Sequence, residues 1–137
     1  MKKEIIHEEL SGKIIAVAMD VLNELKPGLD EKLYERAIII GLRQRGHVVE
    51  AQRLFPVLYH HELVGHLTPD VIVDGTIAVD PKVVSAFNES DIAQMIGYLS
   101  ISNLELALLL NFKAARLEWK RVVRQLKSET EAPDLHA

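Results

Sequence analysis

The stretch that most limits how this chain can fold runs from Leu104 to Phe112, Leu-Glu-Leu-Ala-Leu-Leu-Leu-Asn-Phe. It is far shorter than the roughly 20 apolar residues that cross a bilayer, yet it is so uniformly apolar that it suits a strand buried on both faces. Two helices precede it. From Glu4 to Leu25, apolar residues recur at Ile6, Leu10, Ile14, Val17, Val21 and Leu25, with acidic and basic residues between them, which is the period of an amphipathic helix. Pro27-Gly28 ends this helix, and Asp30 can cap a second one running to about Arg45, where Gly46 stops it.

Two runs rich in β-branched and aromatic residues follow, His47 to Tyr59 and Leu63 to Val73, separated by His60-His61-Glu62. They read as strands. Asp74-Gly75 turns the chain into a third strand, Thr76 to Val84, and Asn88 or Ser90 caps a helix to about Ser102. The order is therefore ααβββαβ, with Arg116 to Leu126 adding a terminal strand or helix. Residues 1–127 read as a single domain and 128–137 as a frayed tail.

The chain has 137 residues, 48% hydrophobic and 26% charged, which excludes disordered and collagen-like classes and allows a real core without disulfides. Glu24, Asp30 and Glu105 interrupt the greasiest stretches, so no membrane span is expected. The start is basic for only two residues before Glu4, Glu8 and Glu9, which points to the cytoplasm. The absence of cysteine excludes a disulfide frame, a thiolate metal site and a cysteine nucleophile. The net charge is -4, but Lys113, Arg116, Lys120, Arg121, Arg124 and Lys127 face only Glu118, a local excess that suits either a solvated face or a phosphate-facing edge.

One group of residues points to chemistry. Pro69-Asp70 and Asp80-Pro81-Lys82 lie on two strands joined by a tight turn. Two carboxylates and an ammonium on one sheet face are what magnesium-dependent phosphodiester cleavage needs: hard oxygen ligands, a metal that stabilises phosphate charge and acidifies water, and a lysine that orients or deprotonates the nucleophile. Asp80 and Lys82 share a face because the strand period is two. Whether Asp70 joins them depends on the turn. A two-residue Asp74-Gly75 loop sets Asp70 opposite Val79, on the wrong face, whereas a three-residue Val73-Asp74-Gly75 loop sets it opposite Ala78, diagonal to Asp80. The catalytic reading thus expects a bulged hairpin.

Other motifs carry two readings each. Gly28, Glu31 and Tyr34 are explained by a turn, a dipole-complementing first-turn acid and a staple onto Leu29, or by Glu31 pointing to the metal as a further carboxylate. Gln94 and Tyr98, one helical turn apart, share a face that suits either packing or a phosphate backbone. His61-Glu62-Leu63-Val64-Gly65-His66 looks like a zinc-protease motif, but an i,i+5 pair does not share a helix face.

Taken with Lys26 to Glu35, Gly65 to Asp70, Val79 to Lys82, Ala93 to Leu99, Leu109 to Phe112 and Lys120 to Val123, these clusters resemble the GxxExxY protein family of the PD-(D/E)xK nuclease-like superfamily. The resemblance covers about Ile5 to Val123. It implies an α/β fold with a central mixed β-sheet flanked by helices, with Glu31, Asp70 and Asp80 holding a divalent Mg2+ (or Mn2+) and Lys82 as the catalytic lysine. Gln94 and Tyr98 fall where the RecB-like branch carries its Gln-x-x-x-Tyr motif, beside the nucleic-acid backbone, and Lys120 and Arg121 are placed among the substrate-binding residues. Where the family has Glu-x-Lys this chain has Asp80-Pro81-Lys82, one methylene shorter and with a proline in a strand expected to be central, where proline costs a ladder hydrogen bond. The implied function is hydrolysis of DNA, or of RNA. The alternative is an impaired copy that serves as a nucleic-acid-binding or protein-assembly module. One active site per chain makes a homodimer the natural unit for cutting two strands.

Overall fold

The computed structural model describes residues 5–124. The sequence builds α1 (Glu8–Leu25), α2 (Glu31–Gln44), β1 (Val49–Ala51), β2 (Phe55–Tyr59), β3 (Glu62–Leu67), β4 (Val71–Val73), β5 (Ile77–Lys82), α3 (Glu89–Ser102), β6 (Leu106–Asn111) and β7 (Glu118–Val123). Five strands form one mixed sheet in the order β1-β4-β5-β6-β7, in which β5 and β6 are parallel and the other neighbours antiparallel. All six residues of β6 are buried, as a doubly covered strand requires. Leu106, Leu108 and Leu110 pack with Ile77 and Val79 against α1 and α2, while Ala107 and Leu109 pack with Ala78, Met95 and Leu99 on the α3 side. The α/β class and the flanked mixed sheet follow from that alternation.

The expected order ααβββαβ needs one correction. Each of the two long β runs breaks in two, because Gln52 takes a left-handed conformation (φ 59°) and Pro69 has no N–H for a ladder. β1 and β4 remain in the main sheet. β2 and β3 pair only with each other and form a separate hairpin, with His60 and His61 both left-handed at its tip. The terminal element is a strand, β7. Helix α1 starts at Glu8, later than expected, since His7 is left-handed (φ 52°); Glu4 lies outside the described residues. The tail from 128 to 137 also lies outside them.

Local chemistry sets the helix ends that matter for the site. Gly28 has φ 109°, a conformation that a side chain disfavours, and it makes the turn between α1 and α2. The buried Tyr34 clamps that turn: its hydroxyl donates to the Lys26 carbonyl (2.6 Å) and accepts from the Leu29 N–H (3.1 Å), and its ring stacks on Phe112 at 4.7 Å. At α3, Asn88 rather than Ser90 is the cap. Its side chain accepts from Asp91 N, and the Asp91 carboxylate accepts from Asn88 N, a reciprocal capping box.

Candidate metal centre

The β4–β5 hairpin decides whether the acidic residues meet. Asp74 and Gly75 are both left-handed, and Thr76 N donates to the Val73 carbonyl, so the turn itself is the tight two-residue kind. Thr76 is nevertheless outside the pairing: Val73 pairs with Ile77, Ile72 with Ala78 and Val71 with Val79. Neither expected register is therefore correct. The extra residue falls after the turn instead of before it, and the same register continued by one residue sets Asp70 directly opposite Asp80. The parity needed for a shared face is kept. The Asp70 carbonyl accepts from Gln52 N at the end of β1, which holds this position as the chain leaves the β2–β3 hairpin.

Glu31 arrives from the first turn of α2, set by Gly28 and the Tyr34 clamp. One carboxylate oxygen from each of Glu31, Asp70 and Asp80 lies within 4.8 Å of the other two. Lys82, two residues along β5 from Asp80, brings its Nζ to 3.3 Å from Asp80 Oδ2, 3.8 Å from Asp91 Oδ1 and 3.3 Å from Gln94 Oε1. Gln94 Nε2 in turn donates to the Tyr98 hydroxyl at 3.2 Å. The structure thus brings Glu31, Asp70, Asp80, Lys82, Gln94 and Tyr98 into one connected group.

Lys120 and Arg121 lie elsewhere, on the edge strand β7, paired with Leu109 and Leu108. Lys120 is exposed. The Arg121 guanidinium donates to the Ser11 hydroxyl and the Ile6 carbonyl, tying β7 to the start of α1. Two acidic residues join the group without having been singled out from sequence. Asp91 reaches Lys82, and the buried Glu35, paired with Lys32 at 3.0 Å, adds negative charge near Glu31. The Asn88-x-x-Asp91 capping pattern was visible in the sequence, but it says nothing of what the capping acid touches.

Charge and burial shape the group's protonation. Asp80 is only 3% exposed, and burial, reinforced by the hydrogen bond and charge of Asp70 and opposed by Lys82, pushes its pKa up to about 8. Burial also raises Glu31, with Lys82 opposing and Asp70 and Glu35 adding to the shift. For Lys82, burial works downward, but the charges of Asp80, Asp91 and Glu31 outweigh it and hold the pKa above that of an ordinary lysine. Tyr98 is raised by burial and then by Asp80 and Asp70, so it stays a neutral donor. A buried carboxyl that holds a proton against a second carboxylate is a site short of positive charge. Three hard oxygen donors of this kind suit Mg2+ or Mn2+ and do not suit a soft metal.

Pro81 sits in β5 without loss. The Lys82 carbonyl accepts from Phe112 N at 2.9 Å, next to β6. Backbone groups alternate sides along a strand, so Asp80 and Lys82 face β6 and Pro81 faces the β4 side. There the pairing has already ended at Val71, opposite Val79. The missing N–H is therefore not missed, and no bulge is required.

Residues 8–122 match the model of the PD-(D/E)XK nuclease superfamily. This chain belongs to that superfamily. Among solved structures, the chain resembles the alkaline exonuclease LHK-Exo from Laribacter hongkongensis, with 13% identity, a TM-score of 0.46, and 84% of this chain and 82% of that one covered. It also resembles SSO0001, with 12% identity, a TM-score of 0.49, and 90% and 82% covered. No curated protein sequence matches. Among the described residues, no helix of this superfamily member is long and apolar enough to cross a membrane.

Proposed function

We propose that this protein is a divalent-metal-dependent nuclease of the GxxExxY type, hydrolysing phosphodiester bonds of DNA, with RNA as the second substrate to test. The observation that carries the reading is the convergence of Glu31, Asp70 and Asp80 oxygens within 4.8 Å, beside an ammonium 3.3 Å from Asp80. Glu31, Asp70 and Asp80 would hold Mg2+ or Mn2+. When bound, the ion supplies charge for the phosphate and acidifies a water.

The chain's own residues do the rest. The carboxylates around Lys82 favour its protonated form, which supports a role as a cation that orients the water and stabilises the phosphate oxygens. Asp80, Asp91 and Gln94 hold its Nζ in place, and Gln94 orders the Tyr98 phenol. That phenol and the Gln94 amide are neutral donors suited to a nucleic-acid backbone. The fit of Pro81 into β5 removes the main structural reason to read the protein as a binding or assembly module without chemistry. Where the substrate is a duplex, a chain with one such centre would need a second copy to cut both strands.

The test is cleavage of a labelled DNA, single-stranded and duplex, with Mg2+ or Mn2+. Wild type is expected to cleave and to lose activity with chelator. Asp70→Ala and Lys82→Ala should each reduce the rate at least 100-fold while unfolding as cooperatively as wild type. Equal activity in all three proteins would refute the assignment. Salt-sensitive DNA binding without cleavage would instead support the binding module.

A further inference from the structure

Asp91, which touches Lys82, is followed on the same helical turn by Ile92, which lines a cleft between the start of α3 and β7. The cleft measures about 590 Å3, within the range of small-ligand sites. Phe87 and Ile92 line it from the α3 side, and Arg116, Glu118, Trp119 and Lys120 from the β7 side. We infer that this cleft holds an unpaired nucleotide of a single-stranded nucleic acid whose adjoining phosphodiester lies at the metal centre. The choice of ligand rests on the nuclease reading above.

Three observations carry the assignment. First, four described residues of the basic run are used in two different ways. Arg121 is used by Ser11 and Ile6, and Arg124 donates to Asn103, whereas Arg116 and Lys120 are exposed and form no ion pair among the described residues. The one acid of the cleft, Glu118, is engaged inward, accepting from Asn111 Nδ2 at 3.2 Å. Two available cations therefore face the cleft, enough to hold a phosphate.

Second, the cleft carries aromatic surface in Phe87, and Trp119, 44% exposed on the edge strand, borders it while also lining a neighbouring cavity against α1. Aromatic surface beside cations is the combination that takes a base by its face and its phosphate by charge. A duplex hides its base faces in the stack, so the combination selects unpaired strands. Third, the cleft lies at the same end of the sheet as the metal centre, since Lys82 pairs with Asn111 and Asn111 with Glu118, one of the residues that line it. Phe87 lies five residues beyond Lys82, and the first turn of α3 sends Asp91 to Lys82 while Ile92 borders the cleft.

Trp119 is the only tryptophan in the chain and borders this cleft, so its emission serves as the readout. The experiment titrates the full chain with an eight-residue oligothymidylate in EDTA, where no cleavage occurs, and follows Trp119 fluorescence. Wild type is expected to show a saturable change, weaker at least tenfold in apparent affinity for a duplex of equal length. Arg116→Ala combined with Lys120→Ala, both exposed, should raise Kd at least tenfold. Phe87→Leu, which keeps the apolar volume, should raise it about fivefold or more. Circular dichroism checks that the variants keep the fold. No change in Trp119 emission on adding oligonucleotide, or equal Kd for wild type and both variants, would overturn the inference. The outcome separates from that of the nuclease reading: cleavage with a silent Trp119 refutes only the cleft, and a responsive Trp119 in a protein that never cleaves refutes only the chemistry.

Discussion

Replacing Asp80 by asparagine should stabilise the metal-free protein at alkaline pH while destroying its metal site. The carboxyl is buried beside Asp70, and its pKa rises to about 8 from an ordinary value of 3.8. Between these values the folded protein keeps a proton that the unfolded chain releases. The unfolding free energy therefore falls as pH rises through that window and levels off above pH 8. Each pH unit in the window costs about 1.4 kcal/mol for one full proton, so the accumulated loss at pH 8 reaches several kcal/mol. Asparagine does not titrate and escapes it. At about 3 °C per kcal/mol for a domain of this size, the variant should melt roughly 5–15 °C above wild type at pH 8 in EDTA, and close to it at pH 4. Thermal unfolding followed by circular dichroism at pH 4, 6 and 8 measures the gap. Adding Mn2+ in place of EDTA should then raise the wild-type midpoint and leave the variant unmoved. A variant less stable than wild type at pH 8, or a gap that does not grow with pH, would refute the reasoning.

Three further outcomes follow from the same geometry. Because Asp80 is mostly protonated at pH 7, Mn2+ binding should release close to one proton there, measured by calorimetry in buffers of different ionisation enthalpy, and affinity should rise with pH up to about 8. Tyr34→Phe removes the bonds to Lys26 and Leu29 that fix the approach to Glu31, and should cost about 1–2 kcal/mol in denaturant unfolding and weaken Mn2+ binding. Pro81→Ala should change stability by less than about 1 kcal/mol, since the new N–H would face the side where β4 has ended; a gain of several kcal/mol would mean that a ladder bond had been missing.

Much of this arrangement was readable from residue order. The run from Leu104 to Phe112 identified a doubly buried strand, and the period of two placed Asp80 and Lys82 together. Gly28, Glu31 and Tyr34 marked the turn into α2. What escaped depends on contacts distant in sequence. Gln52 is left-handed without being glycine, so nothing local announced the break between β1 and β2. The register of the β4–β5 hairpin turned on Thr76 staying unpaired after an Asp-Gly turn, a choice made by the packing of Val71, Val73, Ile77 and Val79 against the helices. Pro81 looked out of place because a central strand was assumed to be paired along its whole length, whereas β4 stops at Val71. The basic run looked like one surface, but Arg121 is held by α1, more than a hundred residues away. Asp91 reads as a helix cap, and only the docking of α3 on the sheet brings it to Lys82.

The most direct test of the metal centre is calorimetric titration of Mn2+ into wild type and Asp70→Ala, each alone and with a short DNA. The account predicts saturable binding in wild type that is lost in Asp70→Ala. Binding of equal strength in both proteins, or none in wild type even with DNA present, would contradict it.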